Sequence, residues 1–326
     1  MNLIRLSILA LSLTLAGCAS KPDHEGEEVI MPKMQQNTYL SHAKQPQHFG
    51  FHAFPVPDGG IAVRGEARQH PNHLSATEFD IDGIPAIKMR GNARRKNMIV
   101  LMDPSSPSSW IEFNKSQEMD TTFLGMNGKN IPYRGGYNTG GADGYMGVIK
   151  NLRINNLFIE NTPVYVRMAT GSLGPMNRGI KVPHIDAVFG YDTIKTFEYV
   201  QFDFNSNVIK LSSTIQYVPH DGLLMTVASI VPIKKYGLAV EGAIYGESTP
   251  IILDFAGDYH FARGDKKVST TKQVSLGEVV ARSVPTLLLP INDSPPRAGR
   301  KLLEKYIITI CPRAGIVFFE RIPEKD

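Results

Sequence analysis

Two stretches decide the fold: FGYDTIKTFEYVQFDFNSNVIKLS at 189–212 and AGRKLLEKYIITICPRAGIVFFE at 298–320. In each, a glycine (Gly190, Gly299) opens a short helical run, an aromatic follows seven residues later (Phe197, Tyr306), and a strand–turn–strand element closes the unit. The first copy carries one or two extra residues. Upstream, NLRINNLFIENTPVYV (151–166) matches VSLGEVVARSVPTLLL (274–289): strand, turn, and an apolar strand introduced by Pro. Farther upstream, NMIVLMDPSSP (97–107) and PIILDFAGD (250–258) each drive an apolar run into an acid, Asp103 and Asp254. Matched elements in the same order read as an internal duplication, with lobe one at about 49–215 and lobe two at about 216–326. A buried carboxylate costs several kcal/mol unless it is paired or functional, so the repeated acid needs a role.

The 326 residues, 42% hydrophobic and 20% charged, suffice for two compact lobes. Short runs such as GIAVRG, YVQFDF, PIILDF and GIVFFE are separated by turn residues, and long amphipathic helical windows are absent. The pattern predicts a mostly-β protein. The formal charge of +4 is spread among mixed acids and bases, which excludes nucleic acid as an expected partner. The basic run RGNARRKN at 90–97 reads as a solvated hairpin tip. His42, His48, His52, His70 and His73 lack the accompanying ligands of a metal site, and no serine-hydrolase elbow, P-loop or dinucleotide fingerprint occurs in a fitting context.

Residues 1–17 have a basic start at Arg5, an apolar stretch to Ala16 and small residues before Cys18, which reads as an export signal. Leu15-Ala16-Gly17-Cys18 resembles the bacterial lipobox, which implies a lipidated Cys18, and Ala19 resembles an outer-membrane sorting signal. The polar segment 18–48 is expected to be a flexible tether holding a periplasmic body off the membrane. Cys311 is then the one remaining cysteine, expected to be a small buried apolar residue.

The strand-plus-Asp turn and the later glycine that opens a helix, each present twice, resemble the pepsin/retropepsin aspartic-protease family over about 50–326. Ile185-Asp186-Ala187-Val188-Phe189-Gly190-Tyr191-Asp192, followed by Thr196-Phe197 and Val200-Gln201-Phe202-Asp203, is similar to a segment typical of its bacterial members. The resemblance implies two similar β-barrel lobes with a cleft between them. It implies a dyad of Asp103 and Asp254 sharing one proton: the ionised acid activates a water, and the protonated one donates to the scissile carbonyl. No metal or cofactor takes part, the partner is an extended peptide, and a monomer suffices. The Gly-rich segment 131–149 is similar to a flap, with Tyr137 as its shielding aromatic. Ser106 and Gly257 would line the site beside the acids.

The turns depart from the family pattern. Pro104 and Phe255 stand where Thr or Ser would tie the turns by a hydroxyl, and Ser105 and Ala256 stand at the glycine position. Two readings therefore stand side by side. One is an envelope aspartic endopeptidase; the other is an inactive lipoprotein of the same fold that holds a peptide or envelope component.

Overall fold

The computed structural model describes residues 29–57, 60–70, 74–79, 83–91, 96–133, 142–173, 184–233, 236–264, 268–289 and 294–324. The first copy contributes strands β1 (Leu74–Glu78), β2 (Ala86–Gly91), β3 (Asn97–Met102), β4 (Trp110–Glu112), β5 (Gly144–Ile154), β6 (Leu157–Arg167), β7 (Ala187–Phe189), β8 (Tyr199–Asp203) and β9 (Val208–Ser212). The second contributes β10 (Leu224–Pro232), β11 (Leu238–Ile244), β12 (Glu247–Asp254), β13 (Phe261–Arg263), β14 (Thr270–Leu276), β15 (Val279–Leu288), β16 (Arg297–Gly299), β17 (Tyr306–Cys311) and β18 (Ile316–Arg321).

The two sets pair identically. In the first, β6, β4, β7, β3, β2 and β5 follow one another around a closed barrel, with β5 returning to β6. In the second, β15, β13, β16, β12, β11 and β14 do the same. Parallel and antiparallel pairs also correspond, β3 with β7 and β12 with β16 being parallel. The duplication inferred from sequence is thus a duplication of topology, and the chain is mostly β with two six-strand barrels. Each barrel is filled by alternating apolar side chains, among them Ile87, Val100, Ile149, Val164 and Phe189 in the first and Val240, Ile251, Leu253 and Phe261 in the second. Burying each such side chain contributes about 1.5–3 kcal/mol.

A further sheet joins the halves, in the order β1, β9, β8, β17, β18, β10. At its centre β8 meets β17 antiparallel, with Val200 opposite Ile310 and Asp203 opposite Ile307. The midpoint of this register is the axis of an approximate two-fold that exchanges the copies. The helical turns Tyr191–Ile194 and Arg300–Leu303 precede β8 and β17. Because β8 begins at Tyr199 and β17 at Tyr306, the two extra residues of the first copy fall between its helical turn and its strand.

One expectation is corrected. Residues 29–48 are not tether but part of the first lobe. Val29–Ile30 pair with Ala169–Thr170, and the helix Lys33–Leu40 buries Gln36 and Leu40. The segment is held because Met31 and Leu40 enter the core while the Gln36 amide donates to the Met31 carbonyl at 2.8 Å. The 90–97 reading agrees with the structure at both ends, where Arg90 pairs with Asn97 across β2 and β3, while the tip itself lies outside the described residues. Among the described residues no helix is long and apolar enough to cross a membrane.

The glycines that open the helical turns are required for space. Gly190 and Gly299 have ordinary negative φ (−81° and −86°). A Cβ would sit 2.5 Å from the Ser108 carbonyl oxygen at Gly190 and 2.2 Å from that of Tyr259 at Gly299. Gly190→Ala and Gly299→Ala are each expected to destabilise the protein by about 1–3 kcal/mol, read as a lower urea midpoint with unchanged slope.

Candidate functional site

The strand β3 is apolar and buried from Val100 to Met102, and its parallel partner places Phe189 opposite Met102. The Asp103 amide donates to the Phe189 carbonyl at 3.0 Å, so the acid emerges beside Gly190. In the second barrel Asp254 lies directly opposite Gly299. The two acids therefore occupy equivalent posts, each at the end of a buried strand and beside the glycine that starts a helical turn. Each helical turn is hung from the neighbouring acid turn: Tyr191 donates its amide to the Ser106 carbonyl and Arg300 donates its own to the Gly257 carbonyl, both at 2.8 Å.

The carboxylates are held by different groups. Asp103, 3% exposed, accepts at Oδ1 from the Ser105 amide (3.0 Å) and the Ser105 hydroxyl (2.6 Å). The Ser106 hydroxyl, expected to line the site, donates instead to the Ser108 carbonyl at 2.7 Å. Asp254, fully buried, accepts at Oδ2 from the Tyr259 hydroxyl at 2.5 Å and has the Arg297 guanidinium nitrogen Nη1 at 3.7 Å from the same oxygen. Gly257 contributes through its backbone, its amide reaching the Asp254 carbonyl at 3.2 Å. A Cβ there would lie 2.4 Å from the Tyr259 ring, so glycine is what lets Tyr259 reach the acid.

Each turn is anchored on the opposite half without the hydroxyls of the expected pattern. At the start of β11, the Leu238 amide donates to the Pro104 carbonyl at 2.6 Å and the Gly237 amide to the Ser105 carbonyl at 3.1 Å. A Cβ on Gly237 would meet the Pro104 oxygen at 2.0 Å, so the approach requires glycine. From the other side, Phe255 stacks on Phe202 of the bridging strand β8 with ring centroids 4.2 Å apart. Ala256 joins a buried cluster of first-lobe residues that includes Ile84, Leu101, Trp110 and Val188. Pro104 and Phe255 thus use a carbonyl and a ring where a hydroxyl was expected.

Tyr259, Arg297 and Gly237 escaped the sequence reading, as did the role of Ser105 as a donor to Asp103. Tyr259 lies five residues beyond its acid, a spacing set by the turn geometry alone. Arg297 did carry a signal: in the duplicated frame it stands where the first copy has Val188, a charge in an otherwise apolar strand.

Of the expected flap, residues 131–133 and 142–149 are described. Tyr133 donates its amide to the Gly144 carbonyl at 2.8 Å and packs edge-on against Trp110 at 4.4 Å, which closes the base of the hairpin. Tyr137 lies outside the described residues, as does Cys18. Cys311 is a buried free thiol, pushed up to about 12 by burial and by nearby Glu198. Among the described residues no cluster of His, Cys, Asp and Glu could hold a metal ion. No protein-family model and no curated protein matches the chain.

Asp192, in the helical turn after Gly190, accepts from the Ser109 amide (3.1 Å) and hydroxyl (2.6 Å) and from the Thr193 amide (2.8 Å). Burial outweighs these donors and pushes its carboxyl from 3.8 up to about 6. The folded state therefore holds the proton more tightly than the unfolded chain, a stabilisation present below the unfolded value and lost as pH rises through about 6. Relative to Asp192→Asn, wild-type stability is expected to fall by up to about 3 kcal/mol between pH 4 and 7. Denaturant titrations of both proteins across that range check it.

Proposed function

We propose that the protein is a two-lobed, aspartic-protease-like endopeptidase, anchored to the bacterial outer membrane by lipid on Cys18 and acting on extended peptides in the periplasm. The observation that carries this reading is the equivalence of Asp103 and Asp254, each ending the corresponding strand of its own barrel beside the corresponding glycine. Each acid also receives one hydroxyl donor from its own turn, Ser105 on one side and Tyr259 on the other. Such a charge-assisted donor fixes the orientation of a carboxylate.

In such a dyad the ionised acid takes the proton from the attacking water. The protonated acid passes its proton to the scissile carbonyl oxygen. Water adds to the carbonyl carbon, and the tetrahedral diol collapses as the acid that took the water proton returns it to the leaving amine while the other acid takes back a hydroxyl proton from the diol, which leaves as the carboxylic acid. No covalent enzyme intermediate forms.

A second reading has its own support. Asp254 is enclosed by Tyr259 and Arg297, an arrangement that also suits an acid kept for stability in a cleft that binds peptide without cutting it. The full chain in detergent, incubated with a diverse peptide library across pH, separates the two. Cleavage that drops about 10²–10⁴-fold in Asp103→Asn and equally in Asp254→Asn supports the endopeptidase. Saturable binding without turnover, unmoved by either substitution, supports the scaffold. Cleavage retained in either variant overturns the dyad.

A further inference from the structure

The two acid turns lack the paired hydroxyls that would couple them, yet a continuous path of contacts runs from one acid to the other. It starts at Asp254 Oδ2, 3.7 Å from Arg297 Nη1. The same guanidinium lies over the Tyr236 ring, 5.7 Å from its centroid. Tyr236 immediately precedes Gly237 and Leu238, whose amides donate to the Ser105 and Pro104 carbonyls. Ser105 in turn holds Asp103 through its amide and hydroxyl.

We infer that Arg297 is a positioning residue that, through Tyr236 and the Gly237–Leu238 backbone, sets the placement of both acids at once. An arginine suits the task. Its planar guanidinium can face a carboxylate with its nitrogens while lying against an aromatic face, a combination a lysine ammonium matches only in part. The side chain is 14% exposed, so the charge sits where water screens it weakly. The duplicated frame shows that the device belongs to one half only, since Val188 occupies the corresponding place in the other. The inference deepens the endopeptidase reading and rests on it for its catalytic consequence, but the mechanical link stands on geometry alone.

The test reads the link directly, by amide hydrogen exchange of the full chain in detergent. In Arg297→Met, the Gly237 and Leu238 amides are expected to exchange at least about tenfold faster, while Val100 and Ile252 in the barrel strands keep their protection. Tyr236→Leu, which leaves the Asp254–Arg297 pair in place, is expected to do the same and carries the test if Arg297→Met does not fold. Arg297→Lys is expected to restore part of the protection. In peptide cleavage, Arg297→Met should lower kcat by about 10²-fold with KM little changed, the signature of misplaced catalytic groups. Unchanged Gly237 and Leu238 exchange in both variants overturns the link, as does an equal loss of protection throughout both barrels. A wild type that cleaves no peptide, combined with selective loosening of the two amides, upholds the link and overturns the endopeptidase reading.

Discussion

Everything else in the molecule depends on the seam where β8 meets β17. This antiparallel pair fixes how the copies face one another, because a slip of one residue would turn every side chain of the slipped strand to the wrong face. The register is marked by a polar pair in an apolar surround. The Gln201 amide donates to the Thr309 hydroxyl at 3.0 Å directly across the seam and to the Tyr217 hydroxyl at 3.0 Å. Tyr217 continues to the fully buried Glu320, which also accepts from the His220 amide. A buried polar network of this kind has one satisfied arrangement, so a shifted register would strand several of its members. The connection between lobes passes through Tyr217 and His220, so the linker is fastened to the same seam.

From the seam the order extends outward to the acids. Phe202 lies on β8, and its ring stacks on Phe255, the residue after Asp254. The bridging sheet therefore locates the second acid turn by packing, while backbone hydrogen bonds from Gly237 and Leu238 locate the first. Aromatic stacking and amide–carbonyl bonds are both short-ranged and directional. Together they replace a hydroxyl tie with contacts drawn from four separate pieces of chain.

The architecture was legible in the sequence because its signals are local and occur twice. Apolar runs ending in Asp103 and Asp254, and glycines opening helical turns at 190 and 299, describe nearest-neighbour structure that strand and turn chemistry enforce. The segment 29–48 was not legible. Its polar helix is ordered by a distant strand pair at 169–170 and by one glutamine bonding back to Met31, neither of which leaves a periodic trace. The hydroxyl donors to the two acids left no sequence signal for a related reason. Whether Ser105 or Ser106 faces Asp103 depends on a single turn of backbone, and Tyr259 reaches Asp254 only because Gly257 leaves room for its ring.

The presence of Arg297 in one barrel and Val188 in the other bears on why the halves share a chain. In a homodimer built on a two-fold axis every residue appears on both sides, so an arginine beside one acid would stand beside its twin as well. Two cations flanking two carboxylates would leave neither acid distinguished from the other. Joined copies are free of that constraint. Their surroundings can differ from one acid to the other, as Arg297 differs from Val188 and Tyr259 from Ser105, an asymmetry no self-pairing subunit could encode.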